Sequence, residues 1–595
     1  MLMMKIYDAI IIGSGAAGYS AADWLFKEGI SDIAVVTEGR MCGTSRNTGS
    51  DKQTYYKISM DGASIDSAEK MALDLCGCGC CDGIKAFKQA VNSAKCFLRL
   101  CDYGVGFPQD EFGGYPGYKT DHDSTSRATS VGPLTSKLMT EKLEAKVIAN
   151  GTPILDGMQV VRIIKDKNGV AGVVALNKKS GKPEAIAAKN VIVATGAPAC
   201  IYESSVYPCS QHGMTGILIE AGASLCNYSQ WQYGLASVDF RWNVSGSFMQ
   251  VIPRFISIDE NGEEREFLKD CFESDSELFS MTFLKGYQWP FSYDRIDASS
   301  KIDIAVHRQT SLGRKVYLDF TRNPDGFDLS LLSDEAKGYL TSTGATQSTP
   351  IERLKALNPK AITIYADNGI DITSEKLRIA VCAQHNNGGI YTDENYMTGI
   401  DGLYVIGEAA GSFGLTRPGG SALNDTQTGG LVCAGHIKNT FRNSPDESVI
   451  ENAEKEAISF SECFGLDSSI DYSDIKREMS NCASFIRDYE KCVSLLGKIS
   501  AIIDNMPIKH KNISEYFLDR DMLISARELL RTIVSEMPET GSRGGAMFIK
   551  DGTIIEENKD SRQYLTITEN GNVKFVKTSP VPSVSKPFEA YLKEI

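Results

Sequence analysis

The stretch AIIIGSGAAGYSAADWLFKEG, residues 9–29, decides the fold. Ala9 to Ile12 form a short apolar run suited to a buried strand, Gly13 interrupts it, and a helical pattern follows with small residues at its start. The glycines stand as G-x-G-x-x-G. Gly13 permits the tight turn, Gly15 lets a pyrophosphate approach the helix N-terminus, and Gly18 allows helix to pack on strand. A second apolar run, IAVVTE, ends at Glu38, twenty residues beyond Gly18. At that spacing a carboxylate meets a ribose hydroxyl. Strand, turn, helix and acid together predict a Rossmann-like α/β dinucleotide site.

A chain of 595 residues exceeds what one core usually supports, so two or three domains are expected. The formal net charge of −14 argues against a general binder of nucleic acid or anionic membrane, and any anionic substrate must be held by a local cluster. The first strand begins within the opening ten residues, which leaves no room for a secretory leader. No run of about 18 apolar residues follows, so no transmembrane segment is expected. Sixteen cysteines without regular pairing read as reduced thiols, and a cytoplasmic location is expected.

Two later segments point to FAD rather than NAD. NVIVATG (190–196) follows hairpin-like strands, and GLYVIGEAAG (402–411) is another strand ending in glycine and an acid. Together GSGAAG, VIVATG, GLYVIGEAAG and RPGGSALND (417–425) resemble the flavoprotein superfamily of fumarate reductase, L-aspartate oxidase and the succinate dehydrogenase flavoprotein. ETGSRGGAMF (539–548) and SRQYLTITENGNVKF (561–575) are similar to the arginine-glycine segment and final strands of that family's C-terminal domain.

The resemblance implies that FAD lies against Gly13, Gly15, Ala16, Ala17 and Gly18, then Glu38, Gly39, Thr44, Ser45, Thr48 and Gly49. Val160, Ala194, Thr195, Gly196, Gly407 and Glu408 complete the site with the backbone of Ser421, Ala422 and Leu423, which would lie along the isoalloxazine. Glu38 would hold the adenosine ribose and Glu408 the ribityl or central ribose region. The family often tethers FAD through a histidine in a Ser-His-Thr context. Here TSRNTGSDKQ (44–53) has Arg46 at that place, so the flavin is expected to be non-covalent.

The same resemblance implies three catalytic residues. Arg417 sits in a glycine-rich loop where a guanidinium's planar fork suits a substrate carboxylate. His385, in AQHNNGGI (383–390), matches a substrate-side histidine. Arg295, in YDRIDASSKIDIAV (293–306), matches the proton-delivering arginine of the capping domain. An arginine can donate a proton only if neighbours replenish it, because its pKa lies above about 12. Asp239 and Arg241 lie near where the family keeps such a relay.

One departure bears on the substrate. In QWQYGLAS (230–237), Gly234 stands where the dicarboxylate reductases carry a histidine, and the family's threonine-glutamate pair is not recognisable. Fumarate and succinate are therefore expected to be poor ligands, with room for something larger or less charged. The loop GYPGYKTDHDSTSRATS (114–130), with Tyr118, Lys119, His122 and Arg127, reads most simply as a polar surface loop, or else as the substrate entrance. The run CGCGCC (76–81) is too crowded for one tetrahedral ion and reads as local packing, so no metal site is expected. A haem-attachment C-x-x-C-H does not occur.

The expected architecture is an α/β FAD-binding domain in two pieces, 1–228 and 355–440, with an inserted α+β capping domain, 229–354. A mainly helical C-terminal domain, 445–595, completes it. The expected activity is FAD-dependent reduction of an activated C=C bond in a carboxylate-type substrate. The reverse oxidation, or service as the flavoprotein component of an electron-transfer complex, are the alternatives. An external electron donor is implied, with an iron–sulfur or flavin-reductase partner as candidates.

Overall fold

The structure is a computed structural model and describes residues 4–61, 65–464, 471–506 and 513–583. The apolar strand Ile6–Ile12 forms the centre of a seven-stranded sheet. It runs parallel to Ile33–Thr37 on one side and to Lys182–Val193 on the other, with Ile10 opposite Ala34 and Val191. These strands are buried on both faces, which is why they read as unbroken apolar runs rather than alternating ones. Leu403–Val405 joins in parallel beside Val191–Val193, so the two distant apolar runs are neighbours in one sheet. The expected hairpins, Met158–Asp166, Gly169–Asn177 and Lys182–Val193, extend the sheet antiparallel.

The cap is built on a six-stranded sheet in the order Trp242–Asn243, Trp231–Ser237, Leu377–Asn386, Lys315–Asp319, Arg254–Ile258 and Glu264–Arg265. Its core includes Leu354, Ala361, Tyr365, Ile372 and Ile379. The expected cap boundary at 354 is corrected by this packing, since it cuts the helix Pro350–Leu357, and the cap sheet continues through Leu377–Asn386. Periodicity could not reveal this, because those residues bury their apolar faces against partners more than a hundred positions earlier.

After residue 445 come the helices Glu447–Ser461, Ser473–Cys482, Tyr489–Asp504 and Ile513–Thr540. Residues 584–595 of the expected C-terminal domain lie outside the described residues. The strands Tyr564–Glu569 and Asn572–Lys577 return to the FAD-binding half, where Ile567 pairs with Cys226. Among the described residues, no helix is long and apolar enough to cross a membrane.

Candidate active site

The turn after the first strand is shaped for close approach. Gly13 has φ +109°, and a side chain there would meet the Ala194 carbonyl at 2.5 Å. At Gly18 an added Cβ would lie 2.0 Å from the Gly13 carbonyl, so the helix Ala16–Lys27 rests directly on the turn. The helix begins at Gly15 without a side-chain cap, and only Ser45 Oγ approaches, accepting from the Ala16 amide at 3.1 Å. Uncapped amides at a helix start favour an anion.

This turn opens into one cavity of about 1330 Å³, above the roughly 300–1,000 Å³ of a single small-ligand pocket. Its wall contains Gly13, Gly15, Ala16, Ala17, Glu38, Gly39, Thr44, Ser45, Thr48, Gly49, Val160, Ala194, Thr195, Gly196, Glu408, Ala422 and Leu423. Gly18, Gly407 and Ser421 stand behind it. An added Cβ at Gly407 would meet Ala17 Cβ at 2.9 Å, and Ser421 is buried with its hydroxyl on the Pro418 carbonyl at 2.7 Å. Glu38 is held by Lys178 at 2.7 Å. The Thr195 hydroxyl is buried without a hydrogen-bond partner, a group awaiting a ligand. The glycine cradle, the open helix start, the acid and this orphaned hydroxyl fit FAD. Arg46, by contrast, is buried and turned to Glu144 at 2.7 Å and Glu141 at 3.9 Å, and is not part of the wall.

Arg417, His385 and Arg295 all reach the same cavity. Arg417 lies under the Phe413 ring, and its Nε donates to His385 Nδ1 at 3.4 Å. Among the described residues it has no carboxylate at ion-pair distance, and burial pushes its pKa down to about 10. His385 lies at the end of the strand Leu377–Asn386, opposite Gln232 in the cap sheet. It is 7% exposed; burial and the neighbouring Arg417 charge hold its pKa well below the ordinary value, so the ring is neutral. Its Nε2 is buried, has no hydrogen-bond partner, and stands 3.9 Å from Glu408. Glu408 accepts from the Tyr207 hydroxyl and from the Asn386 amide at 3.0 Å, and burial pushes its pKa up to about 7.

Arg295 ends a single 3-10 turn, Tyr293–Arg295, at the near side of the expected helix Lys301–Ser311. Its two terminal nitrogens donate to the two oxygens of Asp121 at 2.6 and 2.7 Å. His122 Nε2 is 3.5 Å from Asp121, and His122 Nδ1 is 3.5 Å from Cys78 Sγ. Burial alone would lower the pKa of Arg295, but the Asp121 carboxylate more than offsets it. The relay expected from Asp239 and Arg241 is corrected: Asp239 is exposed beside Arg378 at 3.6 Å, Arg241 donates to the Tyr207 carbonyl at 2.8 Å, and neither lines the cavity.

Sequence reasoning undervalued the loop 114–130. Tyr118, Lys119, Asp121, His122 and Asp123 are wall residues, while Arg127 is fully buried among Asp66, Asp74 and Asp123. Two carboxylates and an arginine stand close together from Asp121 to Arg127, the composition of a buried ionic anchor, but the partners Asp66 and Asp74 are remote in sequence. The cysteines of 76–81 face different ways: Cys78 toward His122, Cys80 toward the Ser561 carbonyl at 3.7 Å and Arg543 at 3.4 Å.

The space expected beside Gly234 is also corrected. A Cβ there would meet Trp289 at 2.9 Å and Gln384 Nε2 at 2.8 Å, so the Trp289 indole covers the position a histidine would have filled.

The FAD binding domain family matches residues 8–423. The chain is 24% identical over 557 residues to a fumarate reductase (CoM/CoB) flavoprotein-family chain of Methanothermobacter marburgensis, covering 90% of this chain and 93% of that protein. It is 24% identical over 577 residues to L-aspartate oxidase of Yersinia pestis, covering 91% and 95%. A structure of E. coli quinol fumarate reductase FrdA superimposes with a TM-score of 0.72 at 16% identity, covering 98% of each chain. With its glycine turn, its cavity and this match, the chain belongs to the FAD binding domain family and is an FAD-dependent oxidoreductase with the fold of the fumarate reductase flavoprotein.

Proposed function

We propose that the protein reduces an activated C=C bond in an unsaturated carboxylate. The observation that carries this reading is Arg417: a guanidinium with no carboxylate partner among the described residues, beside a neutral histidine, in the cavity that also holds the dinucleotide cradle. A buried cation left without a counter-ion is costly unless a ligand supplies one. Gly13 to Ala17, Glu38, Ser45, Thr195 and the first turn of the helix Ser421–Asn439 would hold FAD non-covalently. Bound FAD supplies the hydride for one alkene carbon. Arg417 holds the substrate carboxylate through its fork, and His385 Nε2 stabilises charge developing on that carboxylate. Arg295 delivers a proton to the second carbon; each terminal nitrogen keeps an N–H beyond the one given to Asp121, and Asp121 with His122 returns the proton.

Electrons come from an external donor, for which an iron–sulfur or flavin-reductase partner is the candidate. The test is anaerobic: chemically reduced holoenzyme is mixed with 2-enoates and reoxidation of the flavin is followed. Reoxidation with formation of the saturated acid supports the reading; reoxidation by oxygen alone, with no enoate consumed, refutes it. The match to L-aspartate oxidase supports a second reading, oxidation of a saturated acid with the same clamp. Oxygen consumption with candidate acids separates the two.

A further inference from the structure

The wall changes character one residue step away from the carboxylate clamp. Gln384 and His385 are consecutive, yet both face the cavity, because the strand register shifts between Gln232 and Tyr233 opposite them. Gln384 Oε1 accepts from Trp289 Nε1 at 2.8 Å, which leaves Gln384 Nε2 buried and without a partner. The indole is pinned from three sides. Gly234 leaves it a flat seat, Gln384 fixes its edge, and Lys285 Nζ stands 5.1 Å from its ring centroid. Lys285 itself is spent on Asp303 at 2.6 Å, both fully buried. Phe283, Tyr287 and Tyr339 continue this part of the wall. Among the described residues, the only guanidinium or ammonium that the cap brings to the cavity is that of Arg295, and its fork is filled by Asp121.

A dicarboxylate would thus find a cation for one end and an indole for the other. A carboxylate brought against an aromatic face loses water without gaining a counter-charge. We propose that the substrate is a monocarboxylate 2-enoate whose far end is flat and uncharged, stacked on Trp289 and able to accept a hydrogen bond from Gln384 Nε2. This rests on the reading of Arg417 as the carboxylate clamp, and it makes Trp289 a specificity-determining residue.

Fumarate, crotonate and cinnamate separate the possibilities, since they share one enoate carboxylate and differ at the far end. Each is titrated calorimetrically into oxidised holoenzyme, and each is offered to the reduced enzyme. Cinnamate is expected to bind about tenfold or more tighter than crotonate, an aromatic contact of about 1.4 kcal/mol, with fumarate the weakest. Trp289→Leu should shrink the cinnamate-to-crotonate ratio to within about 3-fold. Gly234→Ala, which drives a Cβ into the indole's seat, should weaken cinnamate by a similar factor with circular dichroism unchanged. Fumarate binding as tightly as cinnamate, or a ratio untouched by Trp289→Leu, overturns the proposal; if Trp289→Leu fails to fold, the wild-type ranking decides alone. Cinnamate binding through Trp289 without being reduced would sink the reductase reading and leave this one standing. Fumarate reduced with Trp289 irrelevant would do the reverse, and binding of none of the three overturns both.

Discussion

Arg295 of the cap and Asp121 of the FAD-binding half meet in a two-pronged ion pair, 2.6 and 2.7 Å, across the mouth of the cavity. Such a fork-to-carboxylate contact fixes both position and orientation, so two domains are joined at the residue assigned to proton delivery. Arg295→Ala should lower kcat by about 10²-fold or more with little change in substrate affinity. Asp121→Asn keeps the shape and removes the charge. It should lower kcat by about tenfold and alter the pH profile, with Asp121→Glu recovering part of the loss. Wild-type turnover in Asp121→Asn, with FAD fully bound, would remove Asp121 from the proton path.

Arg417 should behave differently. Its substitution by alanine loosens the substrate in both ground and transition states, so KM should rise and kcat fall together. Arg417→Lys keeps the charge and loses the fork, and is expected to fall between the two. FAD content, read from the visible absorbance, must match wild type for the comparison to count.

Acid precipitation of the holoenzyme should release the yellow colour into the supernatant. Arg46 occupies the place where relatives tether the flavin, and it is engaged by Glu144. Colour retained in the pellet would mean a covalent bond through some other residue.

Burial raises three carboxylates in or beside the cavity: Glu408 to about 7, Asp425 to about 6 and Asp521 to about 7. Folding favours their protonated forms. This contribution is intact below the ordinary carboxylate value and is lost as pH rises through 6 to 7. The FAD-free protein should therefore melt at progressively lower temperature between about pH 5 and 8. Glu408 alone accounts for on the order of 3 kcal/mol, so Glu408→Gln should flatten much of that slope. An unchanged slope would show that Glu408 is ionised in the free cavity.

The parts of this protein that sequence made legible are those whose meaning is local. The glycine turn at Gly13 to Gly18 encodes strand end, turn and helix start within a few residues, and Arg417 announces itself by its glycine-rich setting. Asp121 and Trp289 were not legible, because each takes its role from a partner in another domain or on another strand: Asp121 from Arg295, Trp289 from Gly234. The absent side chain at Gly234 was visible, but its consequence was not, since a glycine signals free space and only the fold reveals what moves in. The cap boundary was misplaced for the same reason, as the strand Leu377–Asn386 completes its pairing with Trp231–Ser237.

The pairing of Cys226 with Ile567 carries a consequence for biosynthesis. Asn227, next to that strand, takes its hydrogen bonds from Thr566, donating its amide to the carbonyl at 2.7 Å and accepting the Thr566 amide on Oδ1 at 3.0 Å. On the ribosome, residues near 226 emerge well before their partners. At about 5–20 residues per second the interval is on the order of 20–70 s. Throughout it the edge strand Leu225–Cys226 is unpaired on one side, a template for association with other nascent chains. Chains released early, at residue 560, should then be captured by holdase chaperones and cleaved near 226 in pulse proteolysis. Supplying residues 561–583 as a separate peptide should restore protection.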